Sequence, residues 1–291
     1  MHRRLVLGLP LAAIMSLLAA ACAPAEENTQ KPATSGPDSS VDACTDPGTF
    51  KPGALTIATD SPAYEPWFKD DDPTNGEGFE SALAYAVAKE MGFDSGEVEW
   101  TKVPFNSSYQ PGPKKFDFDI NQISINAKRA QAVTFSTGYY SAAQAIITLK
   151  DSEYADATSL ADIKDAQLGA QVGTTSLDAI TATIQSSKQP QVFDDTNIAK
   201  NALQNGQLDA IVTDLPTAFI IVALEIPEGA IIGQFQPVTG ETEEFGLLFE
   251  KDNPLVACAD QALATLKDNG MLADIEDRWL SQVVDVPQLA P

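Results

Sequence analysis

The chain has 291 residues, of which 44% are hydrophobic and 20% charged, and 41 acids against 18 bases give a net charge of −23 at pH 7. So acidic a surface argues against nucleic acid as a partner and against adhesion to anionic lipid headgroups. The one histidine is His2; downstream of it there is no Ser-His-Asp or Cys-His catalysis and no histidine metal site, and neither a metal nor a cofactor is expected.

Residues 1–21 read as a signal peptide. Arg3 and Arg4 make the start positive, and Leu5 to Ala21 is apolar apart from Pro10 and Ser16, a run short for a spanning helix. Cys22 follows Leu18-Ala19-Ala20-Ala21, which resembles a bacterial lipobox. The resemblance implies cleavage before a lipidated Cys22 and anchoring to the outer face of the cell membrane; plain secretion with a free thiol is the alternative. Loss of Arg3 and Arg4 would leave the mature chain about two units more negative. Residues 22–43 are rich in Pro, Ser, Thr and acid. They cannot bury enough surface to offset their ordering entropy and read as a flexible tether. Cys44 and Cys258 remain, an even pair in an exported chain; they form a disulfide closing a very long loop, or stay as two buried thiols. The rest of the chain is long enough for two α/β lobes or one large domain.

Leu55 to Asp60 is a short strand, followed by the Pro-punctuated loop from Asp60 to Trp67. Loops after strand ends are where open α/β sheets hold ligands. Phe79, Leu83, Val87 and Met91 recur at helical spacing after Gly78, and Gly92 ends the stripe. Val98 to Val103 is the next strand, and Phe105 follows Pro104 on a loop. The strand–helix–strand alternation predicts a parallel sheet with crossover helices.

The stretch from Phe116 to Tyr140 carries most information. A strand is expected over Phe118 to Ile125, then a turn to Arg129, a second strand over Ala132 to Ser136, and the pair Tyr139-Tyr140. Only four arginines occur, Arg3, Arg4, Arg129 and Arg278. Arg129 follows a polar patch at a strand end, where its planar fork suits a carboxylate; a surface ion pair is the bland alternative. Asp119, Ile120, Asn121, Gln122, Ile123, Ser124, Ile125, Asn126 and Arg129, followed by Phe135, Ser136 and Tyr139, resemble a segment of the polar amino-acid-binding family of solute-binding proteins that serve ABC importers. The family's threonine after Ser-Ile is Asn126 here, and its small residues before that pair are Asn121 and Gln122.

Strands are expected at Gln144 to Leu149, Leu168 to Val172 and Leu208 to Thr213, and helices at Leu160 to Asp165, Ser176 to Gln185, Asp195 to Ala202 and Pro216 to Leu224. The Gly173-Thr174-Thr175 turn precedes a helix, and serves as an anion site or as an ordinary threonine N-cap. Asp214 ends a buried strand and needs a cationic partner. Phe245 to Phe249 is a short apolar strand, and Pro254 to Lys267 and Met271 to Trp279 are closing helices.

The resemblance covers about Leu55 to Leu280 and implies an α/β fold of the type II periplasmic-binding-protein kind, two hinged lobes with a ligand cleft between them. Lobe one would be 44–140 plus 241–285, and lobe two 141–240. It implies capture of a polar or acidic amino acid by closure, without chemistry, for delivery to an ABC permease, by a monomer. Arg129 would hold the α-carboxylate with help from Ser124, Thr174 and Thr175, and Asp214 the ammonium. Asp60 is the acid supplied by the first loop. Tyr64, Trp67 and Phe105 would pack along the ligand's side chain, with simple packing as the alternative for Trp67, and Asn121 and Gln122 would tune specificity. A ligand-sensing domain and a cyclohexadienyl dehydratase-like lyase are alternatives on the same fold.

Overall fold

Two five-stranded sheets carry the chain in the computed structural model, which describes Cys44 and residues 48–237, 242–280 and 286–291. The expected signal peptide, the expected lipidation site Cys22 and the expected tether lie outside the described residues. The first sheet has the order β2-β1-β3-β12-β4, with β1 Leu55–Thr59, β2 Val98–Lys102, β3 Phe118–Asp119, β4 Val133–Phe135 and β12 Leu248–Glu250. The second has the order β10-β6-β9-β7-β8, with β6 Gln144–Leu149, β7 Leu168–Gln171, β8 Gln191–Phe193, β9 Ala210–Asp214 and β10 Gly229–Phe235. Each sheet is mixed rather than parallel. β1 runs parallel to β2 and β3 and β7 to β8 and β9, but β12 joins the first sheet antiparallel and β6 the second. The antiparallel strands are those nearest the chain's passages between the sheets.

Each sheet builds a lobe around its own apolar contacts. Helix α1, Phe79–Glu90, lays Phe79, Leu83 and Val87 on the first sheet with Ala84 and Ala88 beside them, all buried. Helices α6, Leu255–Asp268, and α7, Met271–Leu280, complete that core with Leu263, Leu266 and Ile275. Cys44 is bonded to Cys258 of α6, so a bridge between residues 214 apart ties the start of the lobe to its last helices. The second sheet is covered by α3, Thr175–Ala179, continued as a π-helical turn to Ile184, by α4, Thr196–Gln204, and by α5, Leu215–Ile220, continued likewise to Glu225. Leu160–Ile163 is a single 3-10 turn, shorter than the helix expected there, and Phe105, expected on a loop, opens the one-turn helix α2, Phe105–Ser108. Residues 286–291 return to the second lobe, where Leu289 enters its core. Among the described residues no helix is long and apolar enough to cross a membrane.

Two expected strands are broken, and both breaks shape the cleft. The run from Phe118 to Ile125 is strand only as far as Asp119, because Gln122 takes a positive φ of 48° and turns the chain. The apolar run from Phe245 to Phe249 divides at Gly246, where a side-chain carbon would lie 2.8 Å from Ile125. Its first part belongs to β11, Glu243–Phe245, which pairs with β5, Tyr140–Ala142, in a two-stranded sheet. This small sheet stands where the chain passes between the two large ones, and its other edge meets Ser124 and Ile125.

Candidate functional site

The carboxyl ends of β1, β7 and β9 face one cavity between the lobes. Asp60 follows β1, and both its oxygens accept backbone N–H groups, from Ser61 at 2.6 Å and Phe105 at 3.0 Å. Burial raises its pKa, and these two hydrogen bonds pull the other way. Asp214 ends β9 on the opposite side. Its pKa is pushed well above the usual carboxylate range, first by burial and then by the nearby Glu243 carboxylate. Tyr64, Phe105, Asn121, Gln122, Ser124, Thr174 and Thr175 also line the cavity. Nine of the eleven residues expected at a ligand site are thus brought together.

Trp67 and Arg129 do not line it. Trp67 is fully buried in the first lobe, edge-on to Phe79, Tyr140 and Phe245, because its large apolar ring finds an aromatic core there. Its indole N–H reaches across to Thr217 Oγ1 at 2.8 Å, so Trp67 joins lobes rather than packing along a ligand. Arg129 is buried behind the cavity, stacked on Phe105 and Tyr109 with Cζ 5.3 and 4.9 Å from the ring centres. Its Nη1 donates to the Ser124 carbonyl at 2.8 Å and its Nη2 to the Gly173 carbonyl at 3.0 Å. That leaves three of its five N–H groups for other acceptors.

Three hydroxyls of this cleft have partners in place. Thr174 caps α3, accepting from Leu177 N at 3.1 Å and donating to the Gln171 carbonyl at 2.8 Å. The threonine acts as an N-cap, and the backbone N–H groups of Thr175 and Ser176 have no carbonyl partner within their own helix. Ser124 donates its hydroxyl proton to Glu243 Oε1 at 2.5 Å and lies 3.2 Å from Thr175 Oγ1. With its proton spent it accepts from Thr175, and toward the cavity it offers one lone pair, not the proton expected for a carboxylate ligand. Tyr64 accepts at its hydroxyl from Thr196 N at 3.1 Å, another link between the lobes.

Residues 55–282 match the family described as bacterial extracellular solute-binding proteins, family 3. The chain belongs to this family. A probable histidine-binding protein of Campylobacter jejuni is 32% identical over 201 residues, 68% of this chain and 73% of that protein. An arginine-binding extracellular protein of Bacillus subtilis is 28% identical over 75% of this chain and 83% of its own. Among solved structures, an ancestral arginine-binding protein bound to arginine superposes with a TM-score of 0.66 at 30% identity, over 78% of this chain and 98% of that one. The α/β, two-lobed type II arrangement expected from the sequence is the fold of these solute-binding proteins.

In this family 3 protein the cleft has further residues that its sequence alone did not single out. Gln171 ends β7 and lines the cavity, accepting at Oε1 from Thr196 Oγ1 at 3.0 Å. The strand-end rule, applied to β7 as it was to β1 and β9, nominates it. Tyr109 stacks on Arg129, and nothing local in the sequence points to it. Glu80, in the first turn of α1, is fully buried beneath Gln122. It accepts from Gln122 N at 2.8 Å and also from Gln122 Nε2 and the Tyr139 hydroxyl. Burial lifts its pKa to about 7 against the pull of these bonds. Gln122 thus spends its side-chain amide on Glu80, while Asn121 Nδ2 is buried without a partner among the described residues.

Proposed function

We propose that this protein captures an amino acid with a neutral polar or basic side chain and delivers it to an ABC permease, by closure of two lobes and without chemistry. The observation that carries the reading is the sign of the cavity. Two carboxylates, Asp60 and Asp214, come from opposite lobes, and no Lys or Arg is among the lining residues. An acidic side chain would bring a third negative charge into a partly dry space, which costs several kcal/mol, roughly, when unpaired. The α-ammonium pairs with Asp214, helped by the Ser124 lone pair. The α-carboxylate takes the N–H groups of Thr175 and Ser176, and Arg129, one layer behind the lining, turns its remaining N–H groups to it as the lobes close on the ligand. Asp60, Tyr64 and Phe105 then face the side chain. The relatives named for histidine and arginine support a basic ligand.

The lobes are 44–140 with 241–285, and 141–240, and the pair β5 and β11 is the hinge. Lipidation of Cys22 is the anchor, and the working form is a monomer. Thermal-shift screening of the twenty amino acids tests the ligand, since saturation at 100 times the dissociation constant adds about 2.7 kcal/mol. Stabilisation by none of them, or turnover of prephenate, would overturn the reading. Cys22→Ala tests the anchor: mature protein that still sediments with membranes would refute lipidation.

A further inference from the structure

We infer that Glu243, on hinge strand β11, is a positioning residue that sets the hydrogen-bond polarity of the ammonium end of the cleft. The inference rests on the reading of the cavity as an amino-acid site. Glu243 does not line the cavity, yet both its oxygens are committed to residues that do or that hold them. Oε1 takes the Ser124 proton at 2.5 Å, and Oε2 takes a proton from Gln144 Nε2 at 3.0 Å. The same Gln144 nitrogen donates to Asp214 Oδ1 at 2.8 Å. An amide nitrogen has two hydrogens, and here each goes to one carboxylate. The amide cannot turn over without facing its carbonyl to both acids, and its oxygen is held the other way by Ser176 Oγ at 2.6 Å. Sheet register fixes the rest: Gln144 pairs directly with Asp214 across β6 and β9, and Glu243 with Ala142 across β11 and β5.

Two consequences meet at one point. Ser124 becomes an acceptor because its single proton points at Glu243, and Asp214 is aimed by an amide that Glu243 helps to orient. The groups presented to the ligand there are a lone pair and a carboxylate; an ammonium can donate to both and carries the opposite charge, whereas a hydroxyl of the same size has one proton for the two acceptors and no charge. Because Glu243 stands on the hinge strand, this polarity is tied to the segment that moves when lobes rotate. A glutamine at 243 faces two donors with one acceptor, so Ser124 or Gln144 must reverse.

The test is Glu243→Gln, titrated by calorimetry with L-arginine, L-histidine and L-glutamine, and with the α-hydroxy acid analogue of whichever binds best. The ratio of the two affinities is the readout. The expected result is amino-acid affinity lower by about 10-fold or more, with the hydroxy analogue changed much less, so that the ratio narrows. Equal loss for both ligands, or no loss, overturns the inference. Ser124→Ala keeps the buried charges and removes the acceptor together with the proton given to Glu243; it narrows the ratio too if the inference holds, and leaves it unchanged if not. Should the parent protein bind none of the twenty amino acids in the thermal-shift screen, the amino-acid reading itself falls, an outcome distinct from a parent that binds and a variant that binds equally well.

Discussion

The Arg129 guanidinium and the Gly173 carbonyl meet across the cleft at 3.0 Å, while the same guanidinium holds the Ser124 carbonyl of its own lobe at 2.8 Å. One buried cation therefore ties both walls of the site. Burial lowers its pKa, and the nearby Tyr109 and the acids Glu243, Asp178 and Asp214 pull it back up. Two carbonyls and two aromatic rings already set the positions of its donors.

Removing that cation leaves a ligand carboxylate unpaired. Arg129→Ala is expected to weaken amino-acid binding by about 2–5 kcal/mol, and Asp214→Ala by a similar amount through the ammonium. Calorimetry on each variant checks this. Parent-like affinity in Arg129→Ala would place the carboxylate clamp elsewhere.

Gly173 has a φ of +75°, and a side-chain carbon there would lie 2.2 Å from the Tyr109 hydroxyl oxygen. Gly173→Ala combines left-handed strain, about 1–3 kcal/mol, with displacement of the ring that stacks on Arg129. Both stability and ligand affinity should fall. Tyr109→Phe removes the clashing oxygen, so Gly173→Ala should cost less in that background. Denaturant melts of the four proteins measure the difference, and equal costs would show that the clash is not the cause.

Glu80 carries a pH prediction with a definite sign. Its folded pKa lies at about 7, above the ordinary 4.5. The folded state therefore holds the proton more tightly, and the stability this gives is complete below 4.5 and is lost as pH rises through 7. The loss by pH 7 is roughly 3 kcal/mol at 1.36 kcal/mol per unit. Asp119 and Asp214 are raised in the same direction, so the parent falls further than Glu80 alone explains. Glu80→Gln should flatten its own share of the slope. Identical pH profiles for parent and variant would remove Glu80 from the account.

The bridge from Cys44 to Cys258 closes a long loop. Reduction, or Cys44→Ala with Cys258→Ala, is expected to lower stability by about 2–5 kcal/mol by releasing entropy to the unfolded chain. Denaturant midpoints with and without reductant test this. The unliganded fold should persist, because α6 keeps Leu263 and Leu266 in the core without the bridge.

Much of the architecture was legible in the sequence, because strands and helices write their periods into apolar spacing. Phe79, Leu83 and Val87 predicted α1 in this way, and Asp60 and Asp214 followed strands whose ends converge. The even pair Cys44 and Cys258 was likewise readable from counting cysteines in an exported chain. What the tertiary structure decided is how each polar group spends its protons. The position of Trp67 in the chain suggested a ligand wall, but a ring that size gains more from an aromatic core, and its N–H went to Thr217. Ser124 was readable as a site residue, yet its donor or acceptor sense depends on Glu243, 119 positions away. Gln144 and Glu243 carry no local signal at all, since their contacts come from sheet register and from the return of the chain through β11. Hydrogen-bond polarity is a property of pairs, and pairs distant in sequence form only when the fold brings them within about 3 Å.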